Sequence, residues 1–262
     1  QLRYNSPVAE IRVKEGRACG VRLESGELIE SEVVVSNADV ATTYGKLLGS
    51  TPRRRWTDAK LARADYSMSL FVWYFGTRLR YDHVYHHTMV LGGRYRELLT
   101  DIFERKHLAD DFSLYLHRPS ASDPSLAPPG CDSFYVLAPV PHLDSGTDWR
   151  THAEPYRAAV QRRLESTVLP GLGDALTTSL MLTPLDFRDR LASEKGAAFA
   201  MEPKLFQSAW FRPHNLSEDI QNLFMVGAST HPGAGIPGVL MSAKALETVL
   251  PNAATFQRLV DA

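Results

Sequence analysis

Hydrophobic and polar residues alternate with a period of two along residues 7–38, the pattern of strands whose two faces meet different surroundings. Val8-Ala-Glu-Ile11-Arg-Val13, Gly20-Val21-Arg-Leu23 and Leu28-Ile-Glu30 predict two or three strands of a meander, with Glu15-Gly16 and Ser25-Gly26 as its turns. The alternation is lost in Glu32-Val-Val-Val35, which reads as a buried strand. Ser36-Asn-Ala-Asp39 then supplies a turn and a cap for a following helix. Aromatic-rich strands are expected at 68–75, 112–116 and 133–137. Over 152–168 the period changes to that of a helix, with Tyr156, Val160 and Leu164 on one face. The sum is a mixed sheet covered by helices, with one face free to line a long apolar cavity. No repeat at a period of 20–50 residues interrupts this reading.

A different pattern closes the chain. Residues 223–226 form a short apolar run that ends at Gly227, and a glycine-rich loop leads into a helical stretch from Val239 (Leu240, Ala243, Leu246, Val249, Leu250). Gly233, Gly235 and Gly238 remove side chains where the backbone bends or approaches something closely. A helix start presents unsatisfied N–H groups and the positive end of the macrodipole, so a cofactor is expected here. Gly233-x-Gly235-x-x-Gly238 matches the spacing of the dinucleotide-binding fingerprint, but its context does not fit. That motif opens a strand–helix–strand unit with an acidic residue about 20 positions on. Only 24 residues follow Gly238, with no second strand among them, and Pro237 lies inside the match.

Composition excludes more than it selects. With 262 residues and 44% hydrophobic content the chain buries one large core or two modest ones. A net charge of −1 gives no reason to expect nucleic acid as a partner. Cys19 and Cys131 form no disulfide framework or ligand spacing, which fits a reducing compartment. No apolar run reaches the length of a membrane-spanning helix. The short basic run Arg53-Arg-Arg55 reads as a solvated turn or as a contact to lipid headgroups. His86-His87 and the Asp186/Asp189 pair lack a sustained ligand spacing, so no metal site is expected. There is no Gly-x-Ser-x-Gly elbow and no phosphate-binding P-loop.

The stretch Val226-Gly-Ala-Ser-Thr230-His-Pro-Gly-Ala-Gly-Ile-Pro-Gly-Val239 closely resembles the C-terminal motif of the bacterial-type phytoene desaturases, FAD-dependent enzymes of carotenoid biosynthesis. The likeness continues in order through Val34-Val-Ser-Asn37-Ala-Asp39, Ser69-Leu-Phe-Val, Tyr85-His-His87-Thr, Arg94-Tyr-Arg-Glu97-Leu, Asp111-Phe-Ser-Leu-Tyr-Leu-His117, Tyr135-Val-Leu-Ala-Pro-Val-Pro-His142 and Gln207-Ser-Ala-Trp210-Phe-Arg-Pro-His214. It thus covers nearly the whole chain.

This resemblance implies an α/β, FAD-binding, glutathione-reductase-like fold of the GR2 type with an inserted mixed-sheet substrate domain. The family's N-terminal dinucleotide-binding strand–helix–strand has no counterpart in this sequence, so the chain is expected to be the C-terminal portion, with the missing N-terminal half of the FAD domain as a partner. The implied division is 1–45 and 215–262 for FAD-domain pieces and 46–214 for a substrate- and membrane-associating domain. Gly227, Ala228, Gly233, Gly235, Ile236, Pro237, Gly238 and Val239 are the implied cofactor-binding positions. Amides at 236–239 would face the pyrimidine edge of the flavin, and Gly227 and Ala228 the ribityl–pyrophosphate link. The implied reaction is desaturation of phytoene towards lycopene or neurosporene, on the surface of a membrane in the bacterial cytoplasm.

A hydrophobic polyene offers nothing to hydrogen-bond, so its affinity must come from apolar burial at about 25 cal/mol per Å². Phe71, Trp73, Phe75 and Tyr135, with Phe134, are candidate pocket walls or ordinary core, and strand alternation lets only half of them face a cavity. No catalytic acid or base is assigned. His231 is a candidate for proton transfer and is equally readable as a structural histidine, while Arg212 and His214 read as loop anchors. The resemblance also admits a diapocarotenoid desaturase, a carotenoid isomerase or ketolase, or a retinol saturase. A non-catalytic module that binds hydrophobic ligands is the alternative from another class.

Overall fold

A computed structural model describes residues 1–251. In chain order its strands are β1 (Val8–Lys14), β2 (Arg17–Leu23), β3 (Leu28–Glu30), β4 (Val34–Ser36), β5 (Ser69–Thr77), β6 (His87–Val90), β7 (Leu114–His117), β8 (Asp132–Val140), β9 (Leu176–Leu182) and β10 (Leu223–Met225). The α-helices are α1 (Val40–Thr42), α2 (Asp58–Arg63), α3 (Tyr95–Thr100), α4 (Trp149–Glu165), α5 (Leu172–Ala175), α6 (Pro184–Leu191) and α7 (Ile236–Glu247). The expectation that no second strand follows the glycine loop falls partly on residues after 251, outside those described.

The chain divides into two compact units. Among the described residues one comprises 1–66, 192–194 and the chain from 199 onward, the other 67–191 and 195–198.

In the first unit β1, β2 and β3 form the expected antiparallel meander. Glu15 and Gly16 both take positive φ in the first turn, and Gly26 does so in the second. β4 pairs in parallel with β10, Val34 opposite Leu223 and Ser36 opposite Met225. All three residues of β10 are buried, as a strand covered on both faces requires. β4 differs from its expected burial: Val34 and Ser36 turn inward, while Val35 is exposed on the outward side of the pleat. Asp39 caps α1 by accepting a hydrogen bond from the Ala41 amide at 2.8 Å.

The second unit is a five-stranded sheet in the order β6-β7-β8-β5-β9, antiparallel throughout. Phe71, Trp73 and Phe75 of β5 and Phe134, Val136, Ala138 and Val140 of β8 share one core with Trp149, Tyr156, Val160 and Leu164 of α4. Phe71 meets Tyr156 edge to face at 5.0 Å, and Trp73 stacks on Phe75 at 4.2 Å. Asp148 starts α4 by accepting from the Arg150 amide, three residues before the expected start. The sequence pattern did not predict β6 or β9. β6 is only four residues long, and β9 carries Thr177, Thr178 and Ser179 along an exposed edge.

Candidate functional site

The glycine loop between β10 and α7 is built from glycines that each answer a different demand. Gly227 has φ +114°, and a Cβ there would stand 2.5 Å from Asn37 Oδ1, so no larger residue fits without displacing Asn37. A Cβ on Gly238, at the start of α7, would stand 2.6 Å from the Gly233 carbonyl, so the loop folds directly onto the helix start. Gly235 has φ +91° with nothing within 4 Å, so it is required by backbone conformation and faces open space.

Beneath the loop lies a buried polar network. Ser242 of α7 accepts from the Gly227 amide at 3.1 Å and from Asn215 Nδ2 at 3.0 Å, and its hydroxyl lies 2.9 Å from that of Thr230. Asn215 Nδ2 also donates to the Met225 carbonyl, and Ser229 Oγ accepts from the Val40 amide. Arg212 closes the network. Its guanidinium donates to the carbonyls of Ala228 (2.6 Å), Thr230 (3.1 Å) and Met201 (3.3 Å). Burial pulls Arg212 below its usual pKa, opposed by the charge of Asp39. Burial likewise raises Asp39, although the Ala41 amide opposes it. For both groups desolvation outweighs the attraction between them.

The loop therefore spends its inner polar groups on itself and leaves its outer rim open. Ile236 is 79% exposed at the first position of α7. Pro237 has no N–H, and the Val239 amide is used on the Gly235 carbonyl at 2.9 Å. Of the three backbone N–H groups at 236–239, those of Ile236 and Gly238 remain as donors without an intrahelical partner. A first turn with two free amides, an open Gly235 and no side-chain cap is a cradle for a negatively polarised ligand edge. Such a set of groups fits a flavin edge.

The remaining predicted residues occupy other places. His231 is exposed, and its backbone amide donates to the Pro213 carbonyl. It lines an apolar cleft of about 590 Å³ together with Trp210, His214, Leu216 and Val249. His214 Nε2 lies 2.9 Å from the Trp210 carbonyl, consistent with a loop anchor. The backbone of the basic run is pinned, while the Arg54 and Arg55 side chains stay exposed. One carboxylate, Asp219, accepts the amides of Arg54, Arg55 and Trp56, while Asp58 and Glu218 pair with the Arg53 and Arg55 side chains. These carboxylates cancel much of the positive field that a lipid headgroup would meet.

In the sheet unit the parity of the strands corrects the expected pocket walls. Phe71, Trp73, Phe75 and Phe134 lie under α4 and present no surface to a ligand, whereas Tyr135 lies on the opposite face. Pairing sets Leu180, Tyr74, Tyr135, His117 and His87 in one row across all five strands. Leu137, Tyr115 and Met89 belong to the next row. Leu180, Met89 and Tyr74 are exposed, and Tyr115, Tyr135 and Leu137 are half-buried. Burial, reinforced by Tyr115, pushes Tyr135 up to about 12, so it stays a neutral donor. The signal for this face was present in β5. Its odd positions hold Phe, Trp and Phe, whereas its even positions end in Tyr74 and Gly76, so the odd set takes the core.

A histidine cluster that the linear spacing did not reveal is also present. His86 and His87 gain a third histidine, His117, thirty positions on, because β6 and β7 pair with His87 opposite His117. Asp186 and Asp189 do not converge: Asp186 accepts from Thr183, and Asp189 pairs with Arg188.

No family model matches the chain. Among curated proteins it is 52% identical over 262 aligned positions to a neurosporene-forming phytoene desaturase of Cereibacter sphaeroides, covering 98% of this chain and 50% of the relative. It is 51% identical to a lycopene-forming phytoene desaturase of Pseudescherichia vulneris (95% and 51% covered), and 36% identical to a 4,4'-diapophytoene desaturase of Methylomonas (93% and 48%). Solved structures with a similar fold include an oxidoreductase from Methanosarcina mazei (TM-score 0.59, 16% identical, 92% of this chain and 48% of that one). A putrescine oxidase variant with redesigned cofactor binding gives a TM-score of 0.58 at 10% identity, covering 93% and 47%. The chain has an α/β fold of the kind these oxidoreductases share and spans about half the length of the curated relatives it matches. By sequence, it belongs to the phytoene desaturase family.

Proposed function

We propose that this chain supplies the flavin-facing loop and the substrate floor of an FAD-dependent carotenoid desaturase that converts phytoene towards neurosporene or lycopene. The fold is read as the GR2 type of glutathione-reductase-like flavoprotein, with the sheet unit as its substrate domain. The observation that carries this reading is the rim of the glycine loop: two free amides at the start of α7, held in place by a buried network centred on Ser242 and Arg212. Ile236 and Gly238 would hold the pyrimidine edge of FAD, and Gly227, Ala228, Gly233 and Gly235 would let its chain pass close to the backbone. Bound there, FAD supplies a hydride acceptor for a carbon skeleton that has no activating carbonyl.

The residues of this chain do the rest. The α7 dipole and the amides of Ile236 and Gly238 stabilise negative charge at the ring edge. The face formed by Tyr74, Leu137, Leu180, Met89, Tyr115 and Tyr135 offers apolar area to a polyene and excludes water from it. Exposed hydrophobic residues at 205–211, including Leu205, Phe206 and Trp210, suit peripheral contact with a bilayer. Among the described residues no helix is long and apolar enough to cross a membrane. Exposed Ile236, Leu240 and Met241 on α7, with Val35 on β4, form apolar surface for the polypeptide that completes the FAD domain. His231, two residues before Gly233, is the first side chain to test for proton transfer. Greater identity to phytoene desaturases than to the diapophytoene enzyme favours the C40 substrate.

The test is co-expression of this chain with the N-terminal half of a related desaturase. Flavin absorption and coloured product from phytoene in liposomes, in the complemented sample only, is the expected result. Folded, complemented protein that carries no flavin would sink the reading and leave a binding module.

A further inference from the structure

We propose that His86, His87 and His117 form a binding site for a divalent transition-metal ion, with zinc and copper(II) as the ions that suit it. The site does not depend on the flavin reading. One ring nitrogen from each histidine can be chosen so that all three lie within 4.8 Å of one another. His87 and His117 face each other across the β6–β7 pair, and the Arg118 amide donates to the His86 carbonyl at 2.9 Å, tying His86 to the same pair of strands. The ring centroids lie 4.4 Å (His86–His87), 4.5 Å (His86–His117) and 5.3 Å (His87–His117) apart.

The outer partners of two of the three histidines agree with ligation. Metal-bound imidazoles hold their second nitrogen in a hydrogen bond that fixes ring orientation. His86 Nδ1 lies 2.5 Å from Ser122 Oγ, and His87 Nδ1 lies 2.6 Å from the Tyr115 hydroxyl, so each leaves Nε2 for a metal. His86 Nε2 and His117 Nε2 lie 2.7 Å apart. Two imidazoles on one tetrahedral zinc stand about 3.4 Å apart when each bond is about 2.1 Å, so the pair needs to open by only about 0.7 Å. His117 Nδ1 is buried without a partner. The adjacent Arg118 does not oppose a cation, because strand alternation sends its side chain to Asp132 and Asp82. Three neutral imidazoles with His87 exposed leave a fourth position for water, and this donor set selects borderline ions over magnesium or calcium.

The experiment uses purified protein without a histidine tag, stripped by chelator, and titrated with cobalt(II) and zinc chloride. The readouts are calorimetry and the visible d–d absorption of cobalt. One ion per chain is expected, displaced from cobalt by zinc and weakened as pH falls from about 8 to about 5.5, where protons compete for the ligands. His87→Ala, at an exposed position, should lower the affinity at least about tenfold, as should His117→Gln. His83→Ala and His231→Ala should leave it unchanged. Should His117→Gln fail to fold, His87→Ala carries the test alone. Absence of stoichiometric binding by the folded protein, or binding that survives the combined His86→Ala/His87→Ala change, would overturn the proposal.

Discussion

The glycine loop and the five-stranded sheet keep their shapes by opposite means. Around Gly227 the interior is polar: Ser242, Asn215, Thr230, Ser229 and Arg212 are all buried and all satisfied by one another or by backbone. Under α4 the interior is aromatic and aliphatic, and Trp73 Nε1 finds its hydrogen bond at Ser179 on the neighbouring strand. A polar interior fails when one partner is removed and another is left unsatisfied. An apolar interior fails in proportion to the volume lost. The first arrangement fixes where backbone amides point, which a cofactor cradle needs. The second fixes a sheet whose other face is free to vary, which suits a featureless ligand.

The largest expected effect tests the apolar side. Trp73→Ala removes a fully buried ring stacked on Phe75 and should cost about 3–5 kcal/mol in a urea unfolding curve. A loss under about 1 kcal/mol would mean that the sheet is not held by this core. Arg212→Met tests the polar side. It orphans the Ala228 and Thr230 carbonyls and takes the countercharge from Asp39, for a loss of about 2–4 kcal/mol. The comparison predicts a further asymmetry: Arg212→Met should release flavin from the completed protein at temperatures where it is still folded. Trp73→Ala should lose flavin only as it unfolds.

These two residues were unequally legible in the sequence. The aromatic runs announced β5 and β8, and the helical period announced α4 with Tyr156, Val160 and Leu164 inward. The loop stands out in the sequence because glycine spacing and a helix start sit in consecutive residues. What joins them to Asn37 was not readable, since that contact links positions 190 residues apart beside the parallel pairing of β4 with β10, and the bonds to Arg212 and Asn215 run through irregular chain with no periodicity to announce them. The same reason hid His117 from His86 and His87: the register of β6 on β7 makes the cluster, and β6 has no alternation to reveal it. The choice of open face turned on parity alone, and aromatic content at both parities obscured it.

A pH titration sharpens the contrast with a group in the sheet unit that is polar and buried. His142 is pushed down to about 4, first by burial and then by the charge of Lys106, and its Nδ1 accepts the Asp144 amide as only the neutral ring can. In the unfolded chain its pKa returns to about 6.5. Its contribution is therefore complete above about pH 6.5 and is lost as pH falls towards 4, because the unfolded state binds the extra proton. The loss should be on the order of 2 kcal/mol, and His142→Gln should flatten that part of the stability profile. A profile as steep in the variant as in the parent would assign the acid sensitivity to other groups.

The smallest stability effect is expected on the open face, and it separates the two faces of one sheet. Leu180 is 59% exposed and sits in the row with Tyr74 and Tyr135. Leu180→Ser deletes no packed volume, so unfolding should shift by no more than about 0.5 kcal/mol. On the proposed function, the same change removes apolar area from the substrate floor and should raise the KM of the completed protein for phytoene several-fold in liposome assays while leaving flavin absorption intact. Tyr74→Ser should act in the same direction. If instead both variants turn over phytoene as the parent does, the floor of the substrate site lies elsewhere, and the free face of this sheet serves another contact. That outcome would leave the polar loop standing as a cofactor cradle, since none of its hydrogen bonds passes through Leu180 or Tyr74.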